Sequence, residues 1–128
     1  MLRVAAVAVV ENGRLLLVSK TVAPDVFYLP GGKPEPGESA EDCVRREVRE
    51  ELGVELASLV FHETIQAPAA LEDVPMAMDV FRAELAGEPV AAAEIANVTW
   101  HRPGEPFAGT LAPAIEALYA SAAVWMRS

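Results

Sequence analysis

Residues 32–54, GKPEPGESAEDCVRREVREELGV, constrain this chain more than any other stretch. Their first part cannot be a regular element. Pro34, Pro36 and Gly37 interrupt helix and strand alike, and Gly31-Gly32 admits backbone conformations that a Cβ forbids. The remainder predicts a helix. Ser39 is a good N-cap with Asp42 three residues on, and Gly53 is a natural stop past Leu52. On that helix Val44, Val48 and Leu52 make an apolar stripe, while Asp42, Arg45 and Arg49 lie opposite and face water. Glu47, Glu50 and Glu51 belong to neither set. Their i, i+3, i+4 spacing gathers three carboxylates within about a third of the circumference, with Glu51 beside the apolar stripe.

Like charges so placed repel, and a divalent cation would turn that repulsion into attraction. Mg²⁺ takes oxygen ligands and binds a few carboxylates together with substrate phosphate. A solvated acidic face is the ordinary reading of a Glu-rich helix, but the loop ahead of it changes the odds. The pattern Gly-x5-Glu-x7-Arg-Glu-apolar-x-Glu-Glu-x-Gly-apolar is met by Gly32, Glu38, Arg46, Glu47, Val48, Glu50, Glu51, Gly53 and Val54. With average residue usage a chance match lies far below about one in a million. The stretch resembles the Nudix box, and the chain is similar to the short, MutT-like Nudix hydrolases.

That resemblance implies a fold, a reaction and a set of roles. The fold is an α/β/α sandwich with a central mixed sheet and a loop-helix-loop catalytic motif, one domain over residues 1–128. The reaction is Mg²⁺- or Mn²⁺-dependent hydrolysis of a diphosphate linkage by water attacking phosphorus. Glu47, Glu50 and Glu51 take the family's metal-ligand positions, joined by the backbone carbonyl of Gly31 and by Glu94 from outside the box. Glu47 or Glu50 also orients or deprotonates the attacking water. Glu38 pairs with Arg46 and ties the loop to the helix. Lys33, with Gly32 beside it, is placed to meet substrate phosphate, and Tyr28 to line a base pocket with Phe27, Met76, Met78 and Phe81.

The substrate reading favours a nucleoside triphosphate giving the monophosphate and pyrophosphate. Leu111 stands where purine-triphosphate members carry a base-reading Asn, which weakens an oxidised-guanine reading. The extended array of NADH-cleaving members is absent, and Pro68 lies near the register of a Pro found in ADP-ribose members. The alternatives are an ADP-ribose, nucleotide-sugar or dinucleotide pyrophosphatase, and a non-catalytic nucleotide-binding sensor. The intact set of glutamates speaks against the sensor.

Composition sets outer bounds. A length of 128 residues, 52% of them hydrophobic, suits one folded core. The net charge of −9 opposes binding of a nucleic-acid polymer, which needs a positive footprint, but allows a small phosphorylated substrate arriving with metal. Cys43 is the one cysteine, so no disulfide within the chain and no cysteine-built zinc site is available; packing is its expected role. The apolar run at 4–10 is too short to span a bilayer and is followed by a turn without a cleavage pattern, so no membrane association and a cytoplasmic location are expected. A homodimer is left open.

Along the chain, residues 4–10 predict a strand buried on both faces, Asn12-Gly13 a hairpin turn and residues 15–19 its return. A loop over 21–25 leads to a short strand at 26–29 and into the box. Strands follow at 55–67, 76–85 and 97–102, with a helical turn over 91–95. Thr110 is the expected cap of a last helix, whose inner face is Leu111, Ile115, Leu118, Tyr119, Ala122 and Met126. His62 and His101 are read as satisfied strand residues.

Overall fold

The computed structural model describes residues 1–126. Its elements run β1 (Leu2–Ala8), β2 (Val10–Glu11), β3 (Arg14–Lys20), β4 (Ala23–Tyr28), β5 (Gly31–Gly32), α1 (Ala40–Leu52), β6 (Leu56–Pro68), β7 (Pro75–Leu85), β8 (Ile95–His101), β9 (Thr110–Leu111) and α2 (Pro113–Met126). The strands divide into two sheets. One has the order β5-β1-β7-β6, with β1 and β7 parallel and the other neighbours antiparallel. The other is built on β3, which pairs with β2 and β4 and also with β8; β4 pairs with β9 in parallel. This is the expected α/β architecture of mixed sheets and two helices.

Alternation along the central strands explains the layers. Ala5, Val7 and Val9, with Leu16 and Val18, pack against Cys43, Val44, Val48 and Leu52 of α1. Ala6 and Ala8, with Leu15 and Leu17, pack against Ala114, Ile115, Leu118, Ala122 and Met126 of α2. Strands covered on both faces read as unbroken apolar runs, which is why residues 4–9 and 15–18 carry so little polarity. Each fully buried Val or Leu in these layers contributes about 1.5–3 kcal/mol.

Local signals place the turns and caps. Asn12 and Gly13 both have positive φ (54° and 73°), as a hairpin turn of this type requires. The Asp42 N–H donates to Ser39 Oγ at 3.0 Å, and Gly53, in the left-handed region at φ 68°, closes α1 by donating its N–H to the Arg49 carbonyl at 3.1 Å.

Three expectations are corrected. The loop expected over 21–25 is shorter, because β4 begins at Ala23, which pairs with Lys20 of β3. Residues 91–95 do not form a helical turn. Ala92 and Val90 donate their N–H groups to the carbonyls of Glu51 and Leu52, both at 3.0 Å, satisfying acceptors that the end of α1 leaves open. That extended attachment ends in a turn at Ala93, which has φ 51°, and leads into β8. Nor does Thr110 cap the last helix. Thr110 and Leu111 pair with Val26 and Phe27, and the Ala112 N–H donates to the Phe27 carbonyl at 2.8 Å. Ala112 precedes Pro113, which disfavours helical backbone at that residue, so α2 starts at the proline and Leu111 lies outside its inner face.

Candidate active site

The box folds around one guanidinium. Arg46 Nε and Nη2 grip the Glu38 carboxylate in a two-pronged bond of 2.8 and 2.9 Å. Its Nη1 donates to Glu47 Oε1 at 2.7 Å and to Glu50 Oε2 at 3.4 Å, and Nη2 also reaches the Lys33 carbonyl at 3.3 Å. Glu38 Oε1 in turn accepts the Glu35 N–H at 3.0 Å, which folds the Pro-Glu-Pro-Gly turn back on itself. The bonds from Arg46, followed by that backbone N–H, hold the Glu38 carboxyl down at about 2. One planar fork therefore joins the loop to the helix and holds two of the three box carboxylates beside each other.

The third carboxylate goes inward. Glu51 is 5% exposed and accepts the Gly31 N–H at 3.0 Å across 20 residues of sequence. Burial first, then the neighbouring Glu47 charge, pushes its carboxyl up to about 8, against the opposing effect of the Gly31 bond. Glu47 is raised too, chiefly by burial, with Arg46 opposing. Tyr28, packed nearby with its hydroxyl buried, is raised by burial and then by Glu51 and Glu94.

The two glycines make this approach possible. A Cβ on Gly32 would stand 2.7 Å from the Glu47 carboxyl carbon. One on Gly31 would stand 2.2 Å from the Ala5 carbonyl oxygen, inside the β1–β5 pairing. Cys43 Sγ points at the Gly32 carbonyl at 3.5 Å and is fully buried, its thiol pushed up to about 11 mainly by burial, a setting for packing rather than attack.

A cleft of about 620 Å³ opens beside these groups. Tyr28, Gly31, Gly32, Lys33, Arg46, Glu47, Glu50, Glu51 and Glu94 all line it, whereas Glu38 stands behind Arg46. Glu94 arrives there because residues 90–92 are bonded to the end of α1. The Lys33 ammonium is turned to Glu72, at 3.3 Å, across the mouth. Of the residues read as a base pocket, Tyr28, Met76 and Met78 line the cleft. Phe27 packs edge-on against Phe107 and Phe81 against Phe61. His101 is buried with Nδ1 2.6 Å from the Tyr119 hydroxyl, and His62 Nε2 lies 3.1 Å from Ser121 Oγ; neither lines the cleft. Sequence reasoning missed Lys20, Glu35 and Glu72, which do. Glu35 alone carried a signal, its place in the box loop; Lys20 and Glu72 are brought in by strand pairing and loop closure.

A single model of the Nudix domain matches residues 1–122. The chain belongs to the Nudix family. A putative 8-oxo-dGTP diphosphatase 2 of Mycobacterium tuberculosis is 32% identical over 111 residues, spanning 76% of this chain and 78% of that protein. An NAD-capped RNA hydrolase, NudC, of Stutzerimonas stutzeri is 46% identical over 52 residues, but the match takes in 39% of this chain and 19% of that protein. This chain thus spans about a fifth of the length of the NudC relatives it matches. Among solved structures, a MutT Nudix hydrolase from Burkholderia pseudomallei superposes with a TM-score of 0.76 at 26% identity, covering 93% of this chain and 95% of that one.

Among the described residues no three Asp, Glu, His or Cys side chains are gathered closely enough to hold a metal ion as they stand. Arg46 occupies Glu47 Oε1, and Glu51 is drawn toward Gly31. The donor set nonetheless suits a hard divalent cation, because it is all oxygen and because burial and the Glu47 charge, which together hold the Glu51 carboxyl up, oppose an ionisation that a bound cation would favour.

The Arg46 fork gives a direct test of the loop clamp. Glu38→Ala and Arg46→Ala are each expected to lower activity, and a double-mutant cycle between them to show strong coupling, since each removal leaves the other partner without its bond. Additive effects on activity and melting temperature would return the pair to an ordinary surface contact.

Proposed function

We propose that this chain is a Mg²⁺- or Mn²⁺-dependent pyrophosphohydrolase of small nucleotide derivatives, hydrolysing a nucleoside triphosphate to the monophosphate and pyrophosphate. The observation that carries the reading is the buried Glu51 carboxylate, set beside Glu47 and Gly31 at one end of a cleft of nucleotide size. Glu47, Glu50 and Glu51 would hold the metal, with the Gly31 carbonyl and Glu94 at its margin. Bound there, a divalent cation screens phosphate charge and lowers the pKa of water. Glu47 and Glu50, which Arg46 holds side by side, would orient the attacking water and take up its proton. Glu38 and Arg46 position the loop, and Lys33, with Gly32 and Tyr28, contacts the substrate. Transfer of Lys33 from Glu72 to a phosphate exchanges one exposed ion pair for another at little cost.

The relatives' names support the diphosphate chemistry without choosing the nucleotide, and they put 8-oxo-dGTP and NAD-capped RNA in the test beside ADP-ribose and dinucleotides. The net charge of −9 favours the small molecules over the polymer. The check is product analysis by chromatography, in ¹⁸O-labelled water, after incubation with these compounds and metal. Monophosphate and pyrophosphate are the expected products from a triphosphate. Release of orthophosphate alone, or activity confined to RNA, would defeat the reading.

Metal binding also predicts a stability change. A cation that binds only the folded chain at a hundred times its Kd adds about 2.7 kcal/mol, which raises the melting temperature on the order of 10 °C at this size. Glu51→Gln should remove most of that rise. An equal Mg²⁺ response in both proteins would place the cation elsewhere.

A further inference from the structure

The cleft has a second half away from the carboxylates. Leu2 and Val4 of β1 lie in register beside Met76 and Met78 of β7, and Ile115 of α2 and Leu71 of the β6–β7 connection complete the wall. The polar side chains that line the cleft are grouped elsewhere. Glu35, Glu47 and Glu50 face Arg46; Glu51 is bonded to Gly31; Lys33 pairs with Glu72 at the mouth. Lys20 acts on Glu47 and Glu51, and Glu94 on Tyr28. Among the described lining residues Tyr28 is the one aromatic ring, and its hydroxyl is buried.

We infer that this apolar half receives the base of a nucleotide by shape and apolar contact, without reading the base's hydrogen-bonding edge. The inference rests on the nucleotide reading above and adds its specificity. Bases differ mainly in the pattern of donors and acceptors along their edges. A site separates such patterns strongly only when its own buried polar groups pair with one of them and are stranded by the others. Aliphatic walls offer no such groups, so the four bases differ here only in size and in the apolar area they bury.

The test is kcat/KM for ATP, GTP, CTP and UTP with Mg²⁺. The four values are expected to fall within about tenfold of one another. Met78→Gln keeps the side-chain length and places an amide in the apolar half. It should spread the values by a further factor of about ten or more, because the amide pairs with some edges and not others. Leu71→Gln, at a half-exposed loop position, buries its amide only when a base covers it, so it asks the same question without straining the fold and serves if Met78→Gln does not fold. A wild-type preference for one base above about a hundredfold overturns the inference and leaves the pyrophosphohydrolase reading standing. Both variants spreading the values no further than wild type would place the base outside this half and overturn it as well. No hydrolysis of any of the four overturns both readings together.

Discussion

Glu50→Gln is expected to lower turnover by about a hundredfold or more while the protein stays folded, the scale of losing a main electrostatic stabiliser. Glu50 lies on the outer flank of α1 with 54% of its side chain exposed, and at 3.4 Å from Arg46 Nη1 it accepts the longest of that guanidinium's hydrogen bonds to carboxylates. Gln keeps its size and an acceptor oxygen, so the helix and core have no reason to change. What disappears is a negative charge at the cleft, which a base needs and which holds a divalent cation more tightly than a neutral amide oxygen does. Glu41→Gln is the control, since Glu41 is exposed in the first turn of the same helix and away from the cleft. Steady-state kinetics and circular dichroism on the two variants check the point. A folded Glu50→Gln protein with near-normal turnover would remove Glu50 from the site.

Alanine at the two adjacent glycines should fail in different ways. At Gly31 the new Cβ meets backbone, the Ala5 carbonyl oxygen at 2.2 Å and Ala6 Cα at 2.7 Å. Backbone inside a strand pair cannot step aside, so β5 must leave β1, and the Gly31 N–H is taken from Glu51. Loss of that pairing and the stranding of a buried carboxylate should cost roughly 3 kcal/mol or more of stability. At Gly32 the Cβ meets the end of a flexible side chain, the Glu47 carboxyl at 2.7 Å. That group can swing away, so Gly32→Ala should fold nearly as well as wild type while losing about a hundredfold in kcat from a carboxylate displaced by an ångström or so. Thermal unfolding and kinetics together separate the two. Equal melting temperatures for both variants, or full activity in Gly32→Ala, would contradict this account.

Much of the molecule is legible in its sequence. The α1 cap and stop and the hairpin at Asn12-Gly13 follow from interactions within four residues, while helical periodicity marks Val44, Val48 and Leu52 as the inner face and Asp42, Arg45 and Arg49 as the outer one. The Glu38–Arg46 pairing was reached only through the resemblance to a known motif, since nothing in helical periodicity brings a loop residue onto the helix. Residues 91–95 and 110–112 were misread because distant groups decide them: the open carbonyls of α1 in one case, the edge of β4 in the other.

The same division runs through the candidate site. The sequence by itself determined which groups could do chemistry, because helical spacing puts Glu47, Glu50 and Glu51 on neighbouring positions whatever surrounds them. Tertiary structure alone decided how they differ. Glu51 is buried against Gly31, Glu47 is held by Arg46, and Glu50 is left in solvent, since burial and charge environment come from strands and loops far away in sequence. It also decided that Lys33 faces Glu72 and that the other half of the cleft is aliphatic, because loop closure and the parallel register of β1 with β7 bring those residues together.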